Sequence, residues 1–176
     1  MDLNMKKNAL MLGLVMVVGV FTSCDSDNEV QCPEDFSGTL TAEETQMLGS
    51  WSLSAIVSDT EIDMTDDGED NPGTDFFAQY EDCQKDALYT FLPDRTYTFK
   101  QGHNAEDCGQ YKVTLDGTWK LSTDQLALVS GCTLQNNDIE LAEDGSGFSF
   151  SGDFSVRDVK GQVHPAEITF TYSFVP

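Results

Sequence analysis

Apolar and polar residues alternate with a period of two along most of this chain after residue 48, and that pattern predicts strands. The clearest segment is 167–175, with Ile168, Phe170, Tyr172 and Phe174 on one face and Thr169, Thr171 and Ser173 on the other. An opening strand is predicted over 48–57, where Trp51, Leu53, Ala55 and Val57 alternate with serines and only Ile56 breaks the order. Between these two, segments 87–92, 95–101, 111–115, 117–121, 125–130, 138–142, 147–151 and 154–159 read as short strands. Pro93-Asp94 suits a tight turn, with proline pre-setting φ at the first corner, and Asp144-Gly145 and Ser151-Gly152 are further turn signals. Thr41-Ala42-Glu43-Glu44 has the form of a capping box, so 42–48 is predicted as one or two helical turns. Residues 59–82 form a long acidic excursion with few strand formers. No stretch of helical periodicity separates any two strands, so the sheet should be antiparallel. Eight to ten short strands, each with one apolar face, predict an all-β, up-and-down β-barrel with a short N-terminal helix. A β-sandwich is the alternative.

The first 24 residues follow another logic. Lys6-Lys7 precede a 13-residue apolar run from Ala9 to Phe21, and Thr22-Ser23-Cys24 follow. A basic start, a short apolar run and small residues make an export signal; the run is too short to span a bilayer comfortably. The Phe21-Thr22-Ser23-Cys24 ending resembles the bacterial lipobox, which implies that Cys24 is lipidated and becomes the first mature residue. The domain organisation expected is then 1–23 lipoprotein signal peptide, 24–40 acidic flexible tether and 41–176 barrel domain.

Charge narrows the partners. The chain carries a formal net charge of −22. Loss of Lys6, Lys7 and Asp2 with the signal leaves 7 basic and 30 acidic residues, a net charge near −23. Such a surface repels phosphate backbones and anionic headgroups, so nucleic acid is not expected as a partner. Acyl chains must then supply the membrane attachment. With Cys24 assigned to lipid, Cys32, Cys83, Cys108 and Cys132 remain, an even number that in an exported chain reads as two disulfides. Of the three connectivities, Cys83–Cys108 is favoured because those residues bracket a predicted hairpin. Cys32–Cys132 then follows by elimination and would staple the tether to the body.

Gly49-Ser50-Trp51 opens the first strand directly after the short helix, and Gly117-Thr118-Trp119 lies in mid-chain. The first tripeptide resembles the Gly-x-Trp motif of lipocalins, where the tryptophan packs across the closed end of an eight-stranded barrel. The layout is also similar to that of small lipocalin-like lipoproteins of Bacteroides-type bacteria. In these a Cys-x-x-Asp then Tyr-Thr-Phe segment, here Cys83, Asp86 and Tyr89-Thr90-Phe91, lies between the two tryptophan motifs. The resemblance covers residues 48–175. It implies a lipid-anchored barrel on the bacterial outer membrane, and the acidic residues Asp25, Asp27 and Glu29 behind the lipid cysteine imply its outer face. Two departures stand out: the last strand lacks the arginine that lipocalins pack on the tryptophan, Arg157 being the only late one, and the usual Asp-Gly turn is Asp94-Arg95.

Chemistry-bearing residues are few. Tyr89, Tyr97, Tyr111, Phe170 and Tyr172 are the candidate ligand-binding side chains of a barrel interior, while Phe148, Phe150 and Phe174 compete for the same space. Asp63-Met64-Thr65-Asp66-Asp67-Gly68 has the spacing of the first half of a calcium loop, but position twelve is Thr74 instead of a bidentate glutamate, so a solvated acidic loop is expected. No metal or cofactor is expected. His103 and His164 are the only histidines, and no nucleophile elbow, zinc motif or phosphate loop occurs. The expectation is a monomeric, non-catalytic protein that binds a small apolar or amphipathic ligand; a packed barrel serving as an interaction protein is the alternative.

Overall fold

A capping box opens the first helix. In the computed structural model, which describes residues 31–176, helix α1 (Ala42–Gln46) begins at Thr41, whose hydroxyl accepts from the Glu44 N–H while the Glu44 carboxylate accepts from the Thr41 N–H. The export signal and Cys24 lie outside the described residues. Nine strands follow: β1 (Gly49–Ile62), β2 (Gly73–Asp75), β3 (Leu88–Phe91), β4 (Thr96–Gln101), β5 (Val113–Ser122), β6 (Gln125–Ser130), β7 (Thr133–Leu141), β8 (Gly147–Arg157) and β9 (Val163–Val175). All pair antiparallel in one sheet, and β9 returns to β1 from Ser50↔Val175 to Ser58↔Ile168, closing an eight-stranded barrel. The closure matches the expected barrel and rules out the sandwich. The ninth strand, β2, lies outside the ring and pairs only with the far end of β1.

The acidic excursion folds back on itself. After β2 come two single-turn helices, α2 (Phe76–Gln79) and α3 (Asp82–Lys85), and α2 carries the fully buried Phe76 into the core.

β1 runs on to Ile62, and β7 and β9 begin earlier than expected, at Thr133 and Val163. Three further differences from the sequence expectation each have a local reason. In β1 a bulge between Leu53 and Ala55 shifts the register, so Ile56, opposite Phe170, faces inward and Val57 is exposed. Residues 111–115 and 117–121, predicted as two strands, merge into β5. Gly117 stays in the ladder opposite Tyr97, and a Cβ there would collide with the Val129 carbonyl, so glycine marks a close approach and not a break. Residues 147–151 and 154–159 likewise merge into β8, with Gly152 paired to Ile168 instead of turning the chain.

Two disulfides link Cys83 to Cys108 and Cys32 to Cys132. The second ties down the stretch expected to be a tether. Residues 31–40 have no regular structure, yet they lie along the barrel, where the Phe36 N–H donates to the Thr118 hydroxyl and Arg95 donates to the carbonyls of Gly38 and Thr39.

Candidate ligand-binding site

The barrel has a sealed end and an open end, and the sealed one is built first by the sequence. Trp51, Trp119, Phe91, Met47 and Phe148 are all at most 1% exposed. The Trp51 indole N–H donates to the Met47 carbonyl at 2.8 Å, and the Trp119 indole N–H donates to the Leu92 carbonyl at 3.2 Å. Gly49 takes φ +117°, and a Cβ on it would sit 2.6 Å from the Phe174 ring, so the first residue of Gly-x-Trp answers to backbone and space together.

Beneath the tryptophans sits a buried ion pair. Pro93-Asp94 turns the chain between β3 and β4, with the Arg95 N–H donating to the Leu92 carbonyl. Arg95 then adopts φ +69°, a conformation that favours glycine. The turn drives its side chain under the barrel. There Nη1 and Nη2 donate to Glu44 Oε1 and Oε2 at 2.6 and 2.8 Å, a bidentate pair with Glu44 fully buried and Arg95 5% exposed. The Leu121 N–H also donates to Glu44. Burial pushes the Glu44 carboxyl up, but Arg95 and the Thr41 and Leu121 amides outweigh it and hold it down at about 2. The departure from an Asp-Gly turn thus places an arginine at the sealed end, where it also donates to the Trp119 carbonyl. Arg157 plays no such part, donating instead to the Gly161 carbonyl on the β8–β9 turn.

Higher in the barrel the predicted tyrosines meet. Tyr89, Tyr97 and Tyr172 are 9%, 3% and 4% exposed, all on inward register positions. The Tyr89 ring stands 5.1 Å from Tyr172, edge-on, and Tyr172 stacks on Phe148 at 5.1 Å. Phe170 stacks on Phe150 at 5.4 Å and is half-buried. Burial pushes the phenols of Tyr89 and Tyr172 up, and each is raised further by a neighbouring phenol, Tyr97 for the first and Tyr89 for the second. Burial also raises Tyr97, against a hydrogen bond with Ser130.

The hydroxyls of Tyr89 and Tyr172 have no hydrogen-bond partner among the described residues. Every sealed side-chain nitrogen or oxygen among those residues does have one. Both phenolic oxygens therefore open onto space that water or a ligand can reach.

Toward β5 and β8 the interior is less covered. Leu115, opposite Phe99, and Phe154, opposite Ala166, take inward positions yet are 45% and 43% exposed. β7 pairs with β8 only from Ile139 to Leu141, so the upper halves of these two strands fork apart. No inward register position of the eight ring strands carries Asp, Glu, Lys or Arg. The outer face of the fork is the opposite: a groove of about 800 Å3 lined by Asp124, Asp138, Glu140 and Glu167 with Ser149, Ser151 and Thr169.

Tyr111 is not part of the interior. It precedes β5, on a turn where its N–H donates to the Cys108 carbonyl, and lines an external groove with Asp66, Asp67, Gln79 and Gln84. In the acidic loop the Asp63 carboxylate accepts from the Thr65 N–H and hydroxyl and the Asn71 N–H, while Asp67 accepts from Glu69 and Asn71. The carboxylates are spent on the loop itself. Among the described residues no cluster of three or more His, Cys, Asp or Glu side chains is placed to hold a metal ion. The Cys-x-x-Asp segment has a structural use: Asp86 accepts the Gly102, Asn104 and Ala105 amides while Cys83 bonds Cys108 in the same loop.

A closed, all-antiparallel eight-stranded barrel with a short helix against its sealed end fits a lipocalin-like fold. No curated protein matches the chain. A family described as a domain of unknown function, DUF5004, matches residues 25–175, nearly all of the chain beyond Cys24, and the protein belongs to that family.

Proposed function

We propose that this protein is an exported, lipid-anchored lipocalin-like binder that takes a small apolar or amphipathic molecule into the open half of its barrel and performs no catalysis. The observation that carries the reading is the pair of buried, unpartnered phenols, Tyr89 and Tyr172, below an interior whose upper apolar side chains are left exposed. An interior filled only for its own stability would cover Leu115 and Phe154 and satisfy both hydroxyls. Tyr97, Phe170 and Phe150 complete the lining. Cys24 is the acyl attachment, and the protein sits as a monomer on the bacterial outer membrane, facing outward. Acyl chains suit a body whose net negative charge gives it no attraction to anionic lipid.

Native mass spectrometry of the purified protein tests the binding. A reproducible added mass that is lost on mild denaturation supports it; bare protein across several preparations, together with no uptake of added apolar probes, rejects it. Metabolic labelling with a palmitate analogue should mark the wild type and not Cys24→Ser.

A second reading, an interaction protein, draws on the fork. The free upper edges of β7 and β8 and the acidic groove beside them suit an extended, basic partner segment. It gains if the mass spectra show no small molecule and pull-downs return a partner lost on charge reversal at Asp138 and Glu140.

A further inference from the structure

We infer that the barrel selects neutral ligands bearing a hydrogen-bond acceptor, such as a carbonyl or ester oxygen, over anionic amphiphiles of the same size. The inference rests on the binding role proposed above and names the chemistry of its ligand.

Four observations lead to it. The first is the absence of charge: with 40 ionisable acidic and basic side chains in the chain, none of those in the described ring strands occupies an inward position. The nearest arginine, Arg95, is already consumed by Glu44 beneath the tryptophans and cannot meet a ligand carboxylate. Second, two deeply buried polar groups of the interior, the phenols of Tyr89 and Tyr172, are 91% and 96% buried with no hydrogen-bond partner among the described residues, and their rings meet edge to face. Third, both phenols are pushed up by burial and by a neighbouring phenol, so they keep their protons at neutral pH and offer O–H donors. A donor pair asks for an acceptor. Fourth, His164, on an inward position opposite Val156, is held by Asp158 at 2.9 Å. It offers a ligand anion no free cation.

An anion entering this interior would lose its water without finding a counter-charge, under a net protein charge of −22. A neutral molecule with the same tail loses less and gains the two donors. The half-buried rings of Phe150 and Phe170, stacked on each other, supply apolar contact for the tail.

The test uses one chain length in three chemical states: dodecane, methyl laurate and laurate, each competing with the neutral fluorophore N-phenyl-1-naphthylamine on the purified protein. Methyl laurate should displace the fluorophore roughly tenfold or more better than laurate. The preference should persist at about 0.5 M salt, where long-range repulsion is screened and only the dehydration cost remains. Tyr89→Phe and Tyr172→Phe, which keep the rings, should each weaken methyl laurate by roughly three- to tenfold and leave dodecane unchanged. Laurate equal to or better than its ester, or an ester affinity indifferent to both substitutions, overturns the inference while binding itself stands. Failure of the fluorophore and of all three competitors overturns the binding role as well.

Discussion

The sealed and open ends of this barrel are made by the same eight strands, yet one is packed solid and the other gapes. At the sealed end two tryptophans find hydrogen-bond partners in main-chain carbonyls, and the Glu44–Arg95 pair fills the floor. Next to the tryptophan layer the phenols of Tyr89 and Tyr172 find none among the described residues, and toward the open end Leu115 and Phe154 take inward positions yet stay half exposed. Strand pairing does not explain the contrast. What differs is what comes to cover each end. The N-terminal strap and α1 bring a carboxylate and Met47 under the floor, whereas the acidic excursion covers the β1 side with Phe76 and leaves the β5–β8 side bare. An end is sealed when a segment from outside the ring satisfies its polar atoms and fills its volume.

The contrast can be broken most forcefully at the ion pair. Arg95→Ala should cost about 3–5 kcal/mol in urea unfolding, because it strands a buried carboxylate. Glu44→Gln combined with Arg95→Gln should cost less than Arg95→Ala alone, since no charge is then left uncompensated. A milder loss for the single change than for the double would show the floor is not held by this pair.

Acid sharpens the same point. The folded Glu44 carboxyl lies near 2, below its ordinary value of 4.5, so the unfolded chain binds more protons between those values. The pair's stabilisation is therefore complete above about pH 4.5 and fades as pH falls toward 2. A pH series of unfolding midpoints should show that slope, and Glu44→Gln should flatten it.

Trp119→Ala and Phe154→Ala compare the two ends directly. The first should lose about 3–5 kcal/mol and the second less than about 1 kcal/mol, measured by denaturant unfolding. Similar losses would mean that the open end is packed after all.

Replacing Cys32 and Cys132 together by serine should lower stability by about 2–4 kcal/mol, because the bond restrains residues 100 apart in the unfolded chain. Proteolysis should then reach residues 31–40 first. The smallest effect is expected at Tyr89→Phe, within about 0.5 kcal/mol in thermal unfolding, since its hydroxyl has no protein partner to lose. A larger cost would give that oxygen a structural role and weaken the ligand reading.

Most of the ring was legible in the sequence. Period-two alternation located all eight ring strands, and the brackets that Cys83 and Cys108 place around a hairpin pointed to their bond. The two places where predicted strands merged share a cause. Gly117 and Gly152 look like punctuation in a one-dimensional pattern, but inside a barrel a missing Cβ admits a neighbouring carbonyl or ring without interrupting the ladder. Ile56 looked like an error in the alternation and proved to be the register shift itself.

Of the candidate ligand residues, Tyr89, Tyr97, Phe170 and Tyr172 share the interior; alternation put Phe170 and Tyr172 on one face but left the faces of Tyr89 and Tyr97 open. Tyr111 does not, because its strand starts two residues later, at Val113. Arg95 stood out only as a departure from an Asp-Gly turn, with no partner assigned to it. Its one signal was an arginine at the position after Pro-Asp where a glycine would be at ease, and only Glu44, 51 residues earlier, gives that choice a reason.

The amino-acid pattern alone determined the class of fold, the sidedness of the last strand and the charge of the outer surface, since these follow from local alternation and composition. The tertiary structure decided which end is shut and which polar groups go unpaired. Those properties depend on how residues far apart in the chain fill, or fail to fill, a common volume.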